Sequence, residues 1–129
     1  MPVEMLHTMI RVLDEKESLR FYGALGFEER RRARVGKDTA TIIMLGLPGD
    51  GQELELTLND GRGDPYPLGD GYGHIALRVD SMDDEIAALA ERGIALSRGP
   101  YEAYPGGSKI AFVQDPDGYM IELIERKEA

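Results

Sequence analysis

The chain contains no cysteine, which removes disulfides, thiolate metal sites and a cysteine nucleophile together and leaves nitrogen and oxygen as the expected donors for any metal. Positive charge is scarce: 15 lysines and arginines against 24 aspartates and glutamates give a formal charge of −9. A surface of that sign repels a phosphate backbone or an anionic bilayer, so neither nucleic acid nor membrane is expected as a partner. No apolar run approaches the ~20 residues that span a bilayer. The opening MPVEMLHTMIRV lacks the basic stretch and apolar core of an export signal, so a cytoplasmic protein is expected. There is no nucleophile elbow and no glycine-rich phosphate loop. What remains is ample for folding, since 42% apolar and 30% charged residues in a chain of 129 suit one ordinary domain or two small fused repeats.

Sliding the chain along itself shows a repeat, which decides architecture before local propensities do. At an offset of 67 (74 − 7), His7 falls on His74, Arg11 on Arg78, Gly26 on Gly93, Arg31 on Arg98, Ile43 on Ile110, Asp50-Gly51 on Asp117-Gly118 and Glu55 on Glu122, without a gap. Local signals follow the same plan. Residues 5–12 and 72–79 read as strands, and Asp14 and Ser81 are helix caps at the same offset. Leu19, Tyr22 and Leu25, and then Ile86, Leu89 and Ala90, have helical spacing, with Gly26 and Gly93 placed to close the helices. Three strands are expected after each helix: 27–34, 39–45 and 53–59, then 94–98, 109–114 and 119–125. Glycine turns at 49–51 and 116–118 join the last two of each set. The fold class is therefore α+β, a single domain over 1–129 made of two βαβββ modules, 3–59 and 72–126, with the Gly/Pro-rich stretch 60–71 as linker. A four-stranded sheet with one helix leaves one face uncovered, and that face is the natural place for a site.

Alternation along a strand puts His7 on the same face as Arg11, His74 with Arg78, Glu55 with Thr57 and Asn59, and Glu122 with Met120 and Ile124. A strand histidine alone is as a rule a hydrogen-bonded residue, and a strand glutamate a solvated one. The pairing changes that weighting. The chain's only two histidines stand at equivalent positions, each 48 residues before a strand glutamate (55 − 7 and 122 − 74). Two imidazoles and two carboxylates suit zinc, nickel, cobalt or ferrous iron, whereas calcium prefers oxygen cages and copper(I) sulfur. Such a metal can polarise adjacent substrate oxygens while a glutamate moves a proton between neighbouring carbons.

The stretches LHTMIRV (6–12), LRFYGALGF (19–27), LELTLN (54–59), YGHIALRVD (72–80) and IAFVQDPDGYMIELIE (110–125) resemble the glyoxalase I family of the vicinal oxygen chelate superfamily, in its short bacterial form. That resemblance implies paired βαβββ modules and a homodimer with its sites at the subunit interface, His7 and Glu55 coming from one chain and His74 and Glu122 from the other. It implies one divalent metal per site, nickel foremost because the first ligand is histidine, with cobalt or zinc as alternatives. The implied reaction converts the hemithioacetal of methylglyoxal and glutathione to S-D-lactoylglutathione through an enediolate. Glu122 would be the principal base, and Glu122 or Glu55 would return the proton. Arg11 and Asn59 would hold the glutamyl end of the thiol. The longer family members carry basic residues in the loop ahead of the IAFVQDPDG motif and an arginine four positions before the second histidine. Here Asp70 and the loop 101–108 stand there instead, leaving Arg98 and Lys109 as substitutes. An acyl-CoA epimerase, an extradiol dioxygenase and a non-catalytic drug-sequestering module are the alternatives on the same fold.

Overall fold

The computed structural model describes residues 2–126. Its elements run β1 (His7–Arg11), α1 (Glu15–Ala24), β2 (Glu28–Val35), β3 (Ala40–Gly46), β4 (Glu53–Asn59), β5 (Ile75–Val79), α2 (Met82–Glu91), β6 (Arg98–Glu102), β7 (Lys109–Gln114) and β8 (Met120–Glu125). The chain divides into two compact units between Tyr66 and Pro67. Each is a βαβββ module whose four-stranded sheet runs β1-β4-β3-β2 or β5-β8-β7-β6. The first and last strands of a module pair parallel and the remaining pairs are antiparallel, because only the first connection crosses over through a helix. Among the described residues no helix is long and apolar enough to cross a membrane.

Both helices open on the expected caps. Asp14 accepts from the Glu17 amide at 3.0 Å and Ser81 from the Asp84 amide at 3.2 Å, each satisfying a donor that the first turn leaves unpaired. In the first unit Ile10, Ile43, Leu45, Leu54 and Leu56 are buried and, by strand alternation, share one sheet face. Phe21 and Tyr22 of α1 are buried too, their rings meeting edge-on at 5.0 Å. The Arg32–Glu15 ion pair at 2.7 Å ties β2 to α1 on that side. In the second unit Ala111, Val113, Ile121 and Leu123 form the matching layer with Met82 and Leu89 of α2. There Glu125 accepts from the Met82 amide at 2.8 Å. A fully buried Leu or Ile contributes roughly 1.5–3 kcal/mol, so each apolar face stabilises its own unit. The opposite faces are released to carry His7, Arg11 and Glu55 in one unit and His74, Arg78 and Glu122 in the other.

Two expectations need correction. The strand expected over 94–98 is instead β6, Arg98–Glu102. Ile94 is buried just after the helix, and Ser97 only approaches the ladder, its amide donating to Phe112 at 2.8 Å. Arg-Gly-Pro-Tyr-Glu is a poor strand by composition, but as an edge strand with an irregular register between Arg98 and Tyr101 it tolerates a proline that cannot donate to a neighbour. The gapless offset also fails inside the sheets. Met44 faces Glu55 across β3–β4, whereas Phe112, not Ala111, faces Glu122 across β7–β8. The connection spans 47–52 in the first unit and 115–119 in the second. The shorter turn slides β7 by one residue, so Ile43 and Ile110, aligned in sequence, lie on opposite faces.

Candidate metal centre

His7 opens β1 and Glu55 lies in the middle of the parallel neighbour β4. The register sets His7 beside Glu53, and Glu55, two residues on, shares that face. The two side chains meet, with His7 Nε2 3.2 Å from Glu55 Oε1 and side-chain exposures of 41% and 15%. The other carboxylate oxygen is also engaged, because Thr57 Oγ1 donates to Glu55 Oε2 at 2.9 Å. Glu53, though it stands opposite His7, turns instead to Arg31, which donates to both of its oxygens at 2.7 and 2.8 Å. The Arg31 hydrogen bonds hold Glu53 below the usual carboxylate range and keep it out of the His7–Glu55 pair.

The second unit repeats the arrangement. His74, immediately before β5, brings Nε2 to 3.1 Å from Glu122 Oε1, with side-chain exposures of 45% and 12%. The surroundings differ. Phe112 stands edge-on to the His74 ring at 5.5 Å, Met120 replaces Glu53 and Ile124 replaces Thr57 at the fixed offset of 67 (120 − 53 and 124 − 57). Arg98, the counterpart of Arg31, therefore meets no equivalent of Glu53. Its guanidinium lies 4.3 Å from the centre of the Phe112 ring, and no carboxylate pairs with it among the described residues.

Donor chemistry and spacing both fit a divalent cation. Nitrogen and carboxylate ligands sit about 2.0–2.2 Å from zinc-like ions, so two of them at right angles around one ion stand about 3 Å apart. The separations of 3.2 and 3.1 Å agree with that. Neither unit adds a third His, Asp or Glu to its pair among the described residues. A single unit thus brings together half of the expected ligand set.

The other expected residues divide by face. Arg11 shares the face of His7, opposite Thr57 in the register. Asn59 ends β4 on the same face, its Oδ1 accepting from Tyr66 at 3.0 Å. Arg98 opposes Phe112 and hence lies toward Glu122. Lys109 does not join them: it stands beside Glu102 and, next to the Glu122-side Ile110, belongs to the opposite face. The gapless offset concealed this, because the one-residue slip of β7 reverses the side each position faces. Thr57 and Phe112 were not singled out from sequence. Their signal lay in register, Thr57 two residues after a candidate ligand and Phe112 directly across from one.

Two His–Glu pairs on equivalent strands of two βαβββ units define a class as well as a site. A family model for the Glyoxalase/Bleomycin resistance protein/Dioxygenase superfamily matches residues 4–123, and the chain belongs to that superfamily. More particularly, it is 39% identical over 130 residues to the lactoylglutathione lyase of Escherichia coli, covering 98% of this chain and 96% of that one. The glyoxalase I of Zea mays superposes with a TM-score of 0.87 at 35% identity over 97% of this chain. This chain spans under half of the maize protein, 45% of its length. The trypanothione-dependent glyoxalase I of Leishmania major superposes with a TM-score of 0.78 at 38% identity, covering 96% of this chain and 87% of that one.

Proposed function

We propose that the chain isomerises the hemithioacetal of methylglyoxal and glutathione to S-D-lactoylglutathione, in keeping with relatives named lactoylglutathione lyase. The observation that carries this reading is the twice-repeated approach of an imidazole Nε2 to a carboxylate Oε1, at 3.2 and 3.1 Å. Each unit offers two donors, and a catalytic ion of this kind takes at least three from protein. The reading therefore joins His7 and Glu55 of one chain to the partner subunit's His74 and Glu122 in a twofold homodimer with two equivalent sites. A divalent ion held there, nickel by this reading with cobalt or zinc as alternatives, supplies positive charge against the negative charge that develops on the substrate's two neighbouring oxygens.

The protein's own residues do the rest. Glu122 accepts the proton from the carbon bearing sulfur on a carboxylate oxygen, Glu122 or Glu55 delivers a proton to the adjacent carbon, and the hydroxyl proton passes from the oxygen on the sulfur-bearing carbon to its neighbour, so no atom is gained or lost. His7 and His74 hold position as nitrogen donors. Arg11 lies four residues from His7, about 13 Å along the strand at ~3.3 Å per residue, a reach suited to the distal carboxylate of a tripeptide thiol, with Asn59 adding hydrogen bonds. Arg98, with no carboxylate beside it among the described residues, binds a second carboxylate in this reading; Lys109, on the other face, is assigned no role. With a glutathione adduct as substrate, the cytoplasm is the proposed place of action.

The test is the growth of thioester absorbance when methylglyoxal and glutathione are given to metal-stripped protein, alone and after addition of nickel or zinc. Activity that appears only with metal is expected. Absence of turnover with every divalent ion tried would remove the assignment and leave the fold.

A further inference from the structure

The two glutamates are alike in sequence spacing but not in their restraints. Glu55 has both oxygens engaged, Oε1 toward His7 at 3.2 Å and Oε2 receiving the Thr57 hydroxyl at 2.9 Å. Thr57 is itself 7% exposed and is flanked in the register by Arg11 and Ile42, so a β-branched side chain there has little rotational freedom. Glu122 meets His74 in the same way, but the matching position is Ile124, flanked by Arg78 and Ile110. Among the described residues no donor other than His74 approaches Glu122. At equivalent places on equivalent strands, one carboxylate has a hydroxyl clamp and the other a hydrocarbon neighbour.

We propose that Thr57 is a positioning residue that divides the labour between the two glutamates. Resting on the metal-site reading above, it makes Glu55 a stationary ligand, while Ile124 leaves Glu122 free to turn away and carry the proton. A carboxylate with one oxygen committed to a hydroxyl presents a single oxygen in a fixed direction. Groups that orient a ligand in this manner are typically worth 10–100-fold in metal affinity. A carboxylate without such a clamp can rotate between holding and proton transfer at little energetic cost.

Three variants test this, with nickel affinity read by competition against a chelating dye and kcat read separately. Thr57→Val keeps shape and loses the hydroxyl; nickel affinity is expected to fall about 10–100-fold, with secondary structure and thermal midpoint retained. Thr57→Ser restores a hydroxyl and is expected to recover affinity to within about threefold of the parent. Ile124→Thr gives Glu122 the clamp it lacks and is expected to lower kcat about tenfold or more while affinity holds or tightens. If Thr57→Val binds nickel as the parent does, or if Ile124→Thr turns over as fast as the parent, the division of labour is wrong. A parent protein that binds no nickel, cobalt or zinc would instead overturn the metal-site reading on which the proposal stands.

Discussion

Two inactive variants, His7→Ala and His74→Ala, should rescue one another when their subunits are exchanged. In the proposed homodimer each removes one imidazole from both sites, so each alone is expected to lose metal and turnover. Both should fold, because the imidazoles are 41% and 45% exposed and such positions seldom cost more than about 0.5 kcal/mol. In a mixed dimer the two losses fall on the same site. The other site receives an intact His7–Glu55 pair from one subunit and an intact His74–Glu122 pair from its partner. Random exchange makes about half of the dimers mixed, each with one good site of two, so about one quarter of parental activity should return. The assay is thioester formation from methylglyoxal and glutathione before and after exchange, with native mass spectrometry counting mixed dimers. Mixed dimers without activity would refute the sharing of sites between chains.

Three further outcomes follow from the same geometry. Glu122→Gln should lower kcat by at least about 100-fold, the low end of what a general base supplies, with dimers preserved on gel filtration; substantial residual turnover would remove Glu122 as the base. Arg98→Ala should raise KM about 10–100-fold, the equivalent of a hydrogen bond to a charged group, with kcat little changed, whereas Lys109→Ala on the opposite face should leave KM within about twofold. Burial pushes the Glu85 carboxyl up, opposed in part by Arg92, so its charged form is less favourable in the folded protein than in the unfolded chain. That penalty is present above the folded value and vanishes as pH falls through it and then through the unfolded value. Glu85→Gln should therefore raise the thermal midpoint near pH 7, the gain shrinking as the solution is acidified; a gain that grows in acid would contradict the sign.

Much of this was legible in the sequence because repeated features report on each other. The caps Asp14 and Ser81, the helix-closing Gly26 and Gly93 at φ +103° and +79°, and the His–Glu spacing recur at one offset, so each half served as a check on the other. What escaped was set by pairing between strands. Only Tyr101 in Arg-Gly-Pro-Tyr-Glu favours a strand, and β6 exists because β7 offers it an edge. The slip of β7 depends on a turn shorter by one residue, which a gapless sequence match hides, and it turns Lys109 away from the Glu122 face. Thr57 carries no signature as a single residue; only its hydrogen bond to Glu55 marks it.

The shifted β7 register also constrains how the two modules can be recombined. A graft that copies the first module's third strand onto the second by sequence offset would lay Leu45, a core residue, where Phe112 now flanks His74, and would turn the polar and apolar sides of the whole strand inside out. A working exchange has to be counted from the ladder, with the hairpin trimmed or lengthened to match. The duplication thus left two halves that look interchangeable on paper but are keyed differently, like two locks cut from one blank.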